Sequence, residues 1–184
     1  MESPIAVCVF CGGSPKVDGR YVDLARDVGA LLGARGVAVV YGGANTGLMG
    51  ALADGALAAG GKVIGVMPAT LRARETTHAA LTELIEVDSM ADRKAAMFAR
   101  STAFLAMPGG FGTLDELFEA VTLRQIGEHG RRIAILEENG FWAPLLAWIT
   151  RAVEERFVPD NVRDAIEVLP DREALARWVD ELLA

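Results

Sequence analysis

The chain has 184 residues, 52% of them hydrophobic and 23% charged, which suits one well-buried globular domain over the whole of 1–184 and excludes a disordered linker. A net charge of −7 argues against a nucleic-acid surface, because phosphate backbones reward clustered Lys and Arg. No apolar run reaches the roughly 18–20 residues of a membrane-spanning helix. The opening Met-Glu-Ser-Pro lacks the basic stretch of a secretory signal, so a cytoplasmic protein is expected.

In chain order, the first apolar run, Ile5 to Phe10, reads as a buried strand that ends at Gly12-Gly13. Its Cys8 and Cys11 form a C-x-x-C, but residues three apart on a strand point to opposite faces, and no second pair exists to complete a zinc site. They read as buried packing thiols. Tyr21 to Arg35 carries Leu24, Val28, Leu31 and Leu32 at helical spacing and stops at Gly36. A second strand, Val37 to Tyr41, runs into Gly42-Gly43, and the Ala- and Leu-rich segment Thr46 to Ala59 reads as a helix. Lys62 to Met67 is a third strand. Thr70 to Ala80 has charges without a period and reads either as a loop folded over a site or as an ordinary connection. Ser89 to Arg100 is a helix, Thr102 to Met107 a strand, Leu114 to Ile126 a helix, and Arg132 to Glu137 a strand. Phe141 to Glu155 is a helix, followed by a short strand, Ile166 to Leu169, and a closing helix, Arg172 to Leu183. Strands alternating with helices imply an α/β fold: a doubly wound, Rossmann-like parallel sheet flanked by helices.

In such a sheet ligands sit where strand ends lead into helices. Two glycine loops occupy such places: Gly42 to Gly50, with Gly42, Gly43 and Gly47, and Pro108-Gly-Gly-Phe-Gly-Thr-Leu-Asp-Glu116. Glycine lets a ligand approach backbone N–H groups closely, and these with a helix N-terminus form an anion site. Neither loop is a Walker A sequence or a G-x-G-x-x-G dinucleotide fingerprint. A phosphate-bearing ligand is expected, with Ser14 after the first strand as a further phosphate contact.

Two places beside these loops carry charge. Thr113-Leu-Asp-Glu116 has capping-box spacing, yet Glu116 also stands one turn from a glycine loop, where a nucleotide's sugar would lie. Asp115 and Glu119 read as solvated helix charges. Ser89-Met-Ala-Asp92 reads as another capping box and places Arg93 and Lys94 just inside a helix start, against the macrodipole. They read either as anion ligands or as snorkelling surface side chains.

Arg93-Lys94 followed by the PGGxGTxxE motif from Pro108 to Glu116 resembles the LONELY GUY (LOG) family of cytokinin-activating enzymes, whose members were long mislabelled lysine decarboxylases. The resemblance takes in the opening Cys-Val-Phe-Cys-Gly-Gly-Ser, the Gly42 to Gly50 loop and Thr122-Leu-Arg-Gln-Ile-Gly127, nearly the whole chain. It implies hydrolysis of a nucleoside 5′-monophosphate, a cytokinin riboside monophosphate or AMP, to free base and ribose 5-phosphate. By position it implies Arg93 and Glu116 as the catalytic pair. The implied substrate-binding residues are Glu75, Arg93, Lys94, Gly109, Gly110, Phe111, Gly112, Thr113, Leu114, Asp115 and Thr122. The opening Gly12-Gly13-Ser14 lacks a second small hydroxyl residue found in many members, and Phe111 stands where plant members often have Tyr.

Lysine decarboxylation would need pyridoxal phosphate on a lysine, and of the three lysines, Lys16, Lys62 and Lys94, only Lys94 is near a loop. No cofactor or metal is expected, since His78 and His129 lie in no ligand-spaced cluster. The alternative in a different class is a non-catalytic carrier of nucleotides or molybdenum cofactor, which has no need of a carboxylate at the sugar. Met90, Met97 and Phe98 read either as an apolar pocket for a prenyl tail or as core. Leu114, Leu117, Phe118 and Val121 form one stripe on their helix and Ala120 and Leu123 lie off it. That extra apolar surface, with the family resemblance, predicts a homodimer with shared active sites.

Overall fold

The computed structural model describes residues 5–71, 76–159 and 165–184. Its strands are β1 (Ala6–Phe10), β2 (Ala38–Tyr41), β3 (Val63–Pro68), β4 (Glu83–Val87), β5 (Ala103–Ala106), β6 (Arg132–Leu136) and β7 (Glu167–Leu169). Interleaved with them are α1 (Gly19–Ala34), α2 (Gly47–Ala58), α3 (Met90–Ala99), α4 (Phe111–Gln125), α5 (Ala143–Glu154) and α6 (Arg172–Leu183). The strands form one parallel sheet in the order β4-β3-β2-β1-β5-β6-β7. This is the doubly wound α/β arrangement that the alternation of elements implies.

Side chains alternate across the strands and divide the core between two layers. Val7, Val9 and Cys11 pack with α1, α2 and α6, whereas Ala6, Cys8 and Phe10 pack with α3, α4 and α5. The two cysteines are therefore free thiols in different layers, as their spacing requires. Phe10, Phe98 and Phe104 form a ring cluster under α3, with centroids 4.8–6.1 Å apart. Met97 and Phe98 belong to this core, which settles their reading against a substrate pocket.

Three local features differ from the sequence reading. The strand β4 is absent from it, because Glu-Leu-Ile-Glu-Val has a glutamate on each face and no continuous apolar run. It is an edge strand, half-buried on one face only. Helix α1 begins earlier than Tyr21, at Gly19, because the Asp18 carboxylate caps it by accepting from the Arg20 N–H. Helix α4 begins at Phe111 with Gly110 as N-cap, so Thr113 is not a cap and the Thr113–Glu116 capping box does not form. The other box does form in part. Ser89 Oγ accepts from the Asp92 N–H at 3.1 Å and donates to the Asp92 carboxylate at 2.6 Å.

Candidate active site

The chain leaves β1 for β2 on one side of the sheet and later returns to β5 on the other, so the β1–β5 boundary is the topological switch point. The two strands end together, and their loops are stitched: the Gly12 N–H donates to the Pro108 carbonyl at 3.0 Å. Gly109 is required here, since a Cβ on it would overlap the Thr113 side chain and come within 3.0 Å of the Gly12 nitrogen. A cavity of about 900 Å³ opens over this junction, and Ser14, Arg93, Gly109, Gly110, Gly112, Thr113 and Glu116 all line it.

The two glycine loops have different places. At the N-terminus of α2, Thr46 donates its hydroxyl to the Gly13 carbonyl at 2.8 Å and the Leu48 N–H donates to the Gly12 carbonyl at 2.9 Å. That helix end is spent on the β1 loop, and Gly42, Gly43 and Gly47 are not among the cavity lining. At the N-terminus of α4 no side chain caps the helix, and Gly110, Gly112 and Thr113 lie on the cavity wall. Of the two loops, the second has a helix N-terminus open to an anion.

Gly42 serves Arg93 instead. The Arg93 side chain, 5% exposed, donates from Nη2 to the Gly42 carbonyl at 2.7 Å and from Nε to the Val66 carbonyl at 3.1 Å. A Cβ on Gly42 would overlap this guanidinium. A buried cation is thus fastened by one carbonyl just past β2 and one within β3 and presented to the cavity. It is not a snorkelling surface residue.

Glu116, 8% exposed, faces the same cavity from the second turn of α4. Burial pushes its carboxyl from an ordinary value near 4.5 up to about 7, opposed by Arg93 and Lys94 and assisted by Asp115 and Glu119. A carboxyl so placed exchanges its proton near neutrality. The Cys11 thiol also lines the cavity, but burial raises its pKa well above the ordinary thiol range and leaves it protonated.

Other sequence-selected residues lie outside this lining. Lys94 turns to α4, with Nζ 3.0 Å from Asp115 and 2.5 Å from Glu119, so these two carboxylates are paired charges and not merely solvated ones. Phe111 is 93% exposed, Leu114 is half-buried against the core, and Thr122 is exposed. Glu75 lies outside the described residues. Nearby, Thr77 bridges to Ala44, His78 donates its backbone N–H to the Gly43 carbonyl, and Leu71 reaches the cavity.

The apolar wall escaped the sequence reading. Val17, Tyr21, Leu48, Met49 and Phe141 line the cavity together with Met90. Tyr21 and Phe141 meet edge-on with centroids 5.8 Å apart, although 120 positions separate them. Val17 precedes α1, Tyr21 lies in its first turn, Leu48 and Met49 lie in that of α2, and Phe141 comes just before α5, so no single motif connects them.

A parallel sheet with a ligand-sized cavity at its switch point, an open helix N-terminus and a buried acid defines a Rossmann-like α/β ligand-binding protein. Comparison with known proteins narrows the class. The family model described as "Possible lysine decarboxylase" matches residues 49–179. A protein of Oryza sativa subsp. japonica named "Probable cytokinin riboside 5'-monophosphate phosphoribohydrolase LOGL9" is 42% identical over 175 residues, 95% of this chain and 77% of that protein. The Arabidopsis thaliana protein named "Cytokinin riboside 5'-monophosphate phosphoribohydrolase LOG4" is 41% identical over 95% of this chain and 81% of its own length. The chain belongs to the LOG family. Among solved structures, the molybdenum cofactor carrier protein of Chlamydomonas reinhardtii superposes with a TM-score of 0.76 over 98% of this chain and 99% of that one, at 20% identity, a likeness of fold.

Proposed function

We propose that this chain is a phosphoribohydrolase that cleaves the N-glycosidic bond of a nucleoside 5′-monophosphate, a cytokinin riboside 5′-monophosphate or AMP, releasing free base and ribose 5-phosphate. The observation that carries the reading is a buried carboxyl, Glu116, in one cavity with the uncapped N-terminus of α4. The 5′-phosphate would sit on that helix end, against Gly109, Gly110, Gly112 and Thr113, with Ser14 at the rim. As the C1′–N bond breaks, its electron pair leaves with the base and positive charge develops on the ribose. An ionised Glu116 one turn away stabilises that charge and orients the water that adds to C1′. The water's proton goes to solvent or to Glu116, and the base takes up one proton. Arg93, fixed by two carbonyls, holds an anionic or polar group of the nucleotide and favours the ionised form of Glu116.

A decarboxylase reading finds no support in the site, because Lys94 does not line the cavity and its ammonium is held by two carboxylates. The apolar wall of Tyr21, Phe141 and Met49 offers a surface for the base. We further assign a cytoplasmic homodimer without a nucleic-acid partner. Buried free thiols suit a reducing compartment. Phe111, Ile126 and Trp148 leave apolar surface on α4 and α5, although Trp148 of α5 partly covers Phe118. Phe111 and Thr122, outside this chain's own cavity, would then meet a partner's nucleotide. Incubation of the purified protein with AMP and with an N6-prenylated riboside monophosphate, followed by chromatography, tests the activity. Release of free base is expected; intact nucleotide bound without turnover would make the protein a carrier.

A further inference from the structure

Arg93 and Lys94 are consecutive on α3, so their side chains leave the helix about 100° apart. Arg93 enters the cavity. Lys94 crosses to α4, where its ammonium lies between Asp115 at 3.0 Å and Glu119 at 2.5 Å. These two carboxylates, four residues apart on one helical face, bracket Glu116 in sequence and repel each other when unpaired. Lys94 is the more enclosed partner, with 16% of its side chain exposed against 57% for Asp115 and 35% for Glu119.

We propose that Lys94 is a positioning residue: it fastens α3 to α4 through Asp115 and Glu119, and it shields Glu116 from the two negative charges beside it. This assignment rests on the reading of Glu116 as the catalytic carboxylate, and it differs from the direct substrate contact that family resemblance implies for Lys94. Among the described residues, the charged and titratable groups facing Glu116 are Arg93 and Lys94 from α3, Asp115 and Glu119 from its own helix, and the thiols of Cys8 in β1 and Cys11 just after it. Both cations favour an ionised Glu116 and both carboxylates oppose it. The hydrogen bond that Lys94 donates to Glu119 leads the causes that raise Lys94 above its usual value, so the clamp stays charged throughout the neutral range. Partly exposed ion pairs of this kind contribute little to stability, so the clamp can be removed without unfolding the protein.

The test is the pH profile of kcat/KM, which reports groups of the free enzyme. Lys94→Met should move the acid limb upward by about 0.5 to 1 pH unit, the effect of one lost neighbouring cation whose charge two carboxylates already partly offset. The loss is then roughly 3- to 10-fold at pH 6 and shrinks above pH 8. Lys94→Arg should keep the wild-type limb. Adding Glu119→Gln to Lys94→Met should return the limb at least halfway, and Glu119→Gln alone, a mild change at a half-exposed position, should lower it. A Lys94→Met enzyme whose kcat/KM falls by the same factor at every pH, with no rescue by Glu119→Gln, would overturn the proposal in favour of direct substrate contact. An unmoved limb in Glu119→Gln would overturn it even if Lys94→Met does not fold. Glu116→Gln assayed in parallel separates the two ideas: full activity in that variant refutes the role of Glu116 itself.

Discussion

Replacing Glu116 with Gln keeps the volume of the side chain and removes a charge that burial opposes. In the folded protein this carboxyl is pushed from near 4.5 to about 7, so between those values the native state binds more protons than the unfolded chain. Stability attributable to Glu116 is therefore fully present below about pH 4.5 and is lost as pH rises through 7. At about 1.4 kcal/mol per unit, the ionised side chain costs the fold about 3 kcal/mol above pH 8. Gln does not titrate. The stability difference between Glu116→Gln and wild type should accordingly grow by about 3 kcal/mol from pH 4.5 to pH 8.5, with Gln becoming the more stable. For a chain of this length that corresponds to roughly 6–12 °C in Tm at the alkaline end. Turnover should fall by about two to four orders of magnitude, the range typical of removing a catalytic carboxylate. Urea melts of both proteins at four pH values, with single-turnover base release at pH 8, provide the measurements. A stability gap that stays constant with pH would refute the buried, raised carboxyl. Near-normal turnover in the folded variant would refute its catalytic role.

In the wild type, kcat/KM for AMP should fall about tenfold per unit as pH drops below about 7, because the proposed mechanism runs on ionised Glu116; a flat profile from pH 5 to 8 would contradict this. Gly109→Ala places a Cβ against Thr113 and the Gly12 nitrogen, so it should destabilise by about 1–3 kcal/mol and raise KM, checked by thermal melts and initial rates. Exhaustive treatment with a strong chelator should leave full activity, whereas a loss restored by added metal would sink the cofactor-free mechanism. Sedimentation equilibrium at micromolar concentration should show a dimer, and a fully active 19.5 kDa species would rule out shared sites. Arg93 and Glu116 line one chain's own cavity, so mixing Arg93→Ala with Glu116→Ala should recover no activity, and recovery would contradict that placement.

Much of the molecule is legible in the order of its residues. Short, unbroken apolar runs such as Ala103 to Met107, too short for helices and followed by glycine, read as strands covered on both faces, and their alternation with amphipathic helices leaves few topologies besides a doubly wound sheet. Arg93 and Glu116 stand out for local reasons: a cation against a helix dipole and an acid one turn from a glycine loop. Local pattern fails where partners are distant. The edge strand β4 has no continuous apolar run because only one of its faces is covered. The start of α4 at Phe111, which opens its end to the cavity, follows from the packing of Gly109 against Gly12 and Thr113, nearly a hundred residues of chain away in one case. Neighbouring Arg93 and Lys94 look alike in sequence, yet one is buried by the carbonyls of Gly42 and Val66 and the other is held by α4. Tyr21 meets Phe141 only because β1, β5 and β6 lie side by side. Helical and strand periods report which face of an element is apolar, and that much the sequence determined alone. Which distant group each face meets depends on strand order, and the tertiary structure alone decided it.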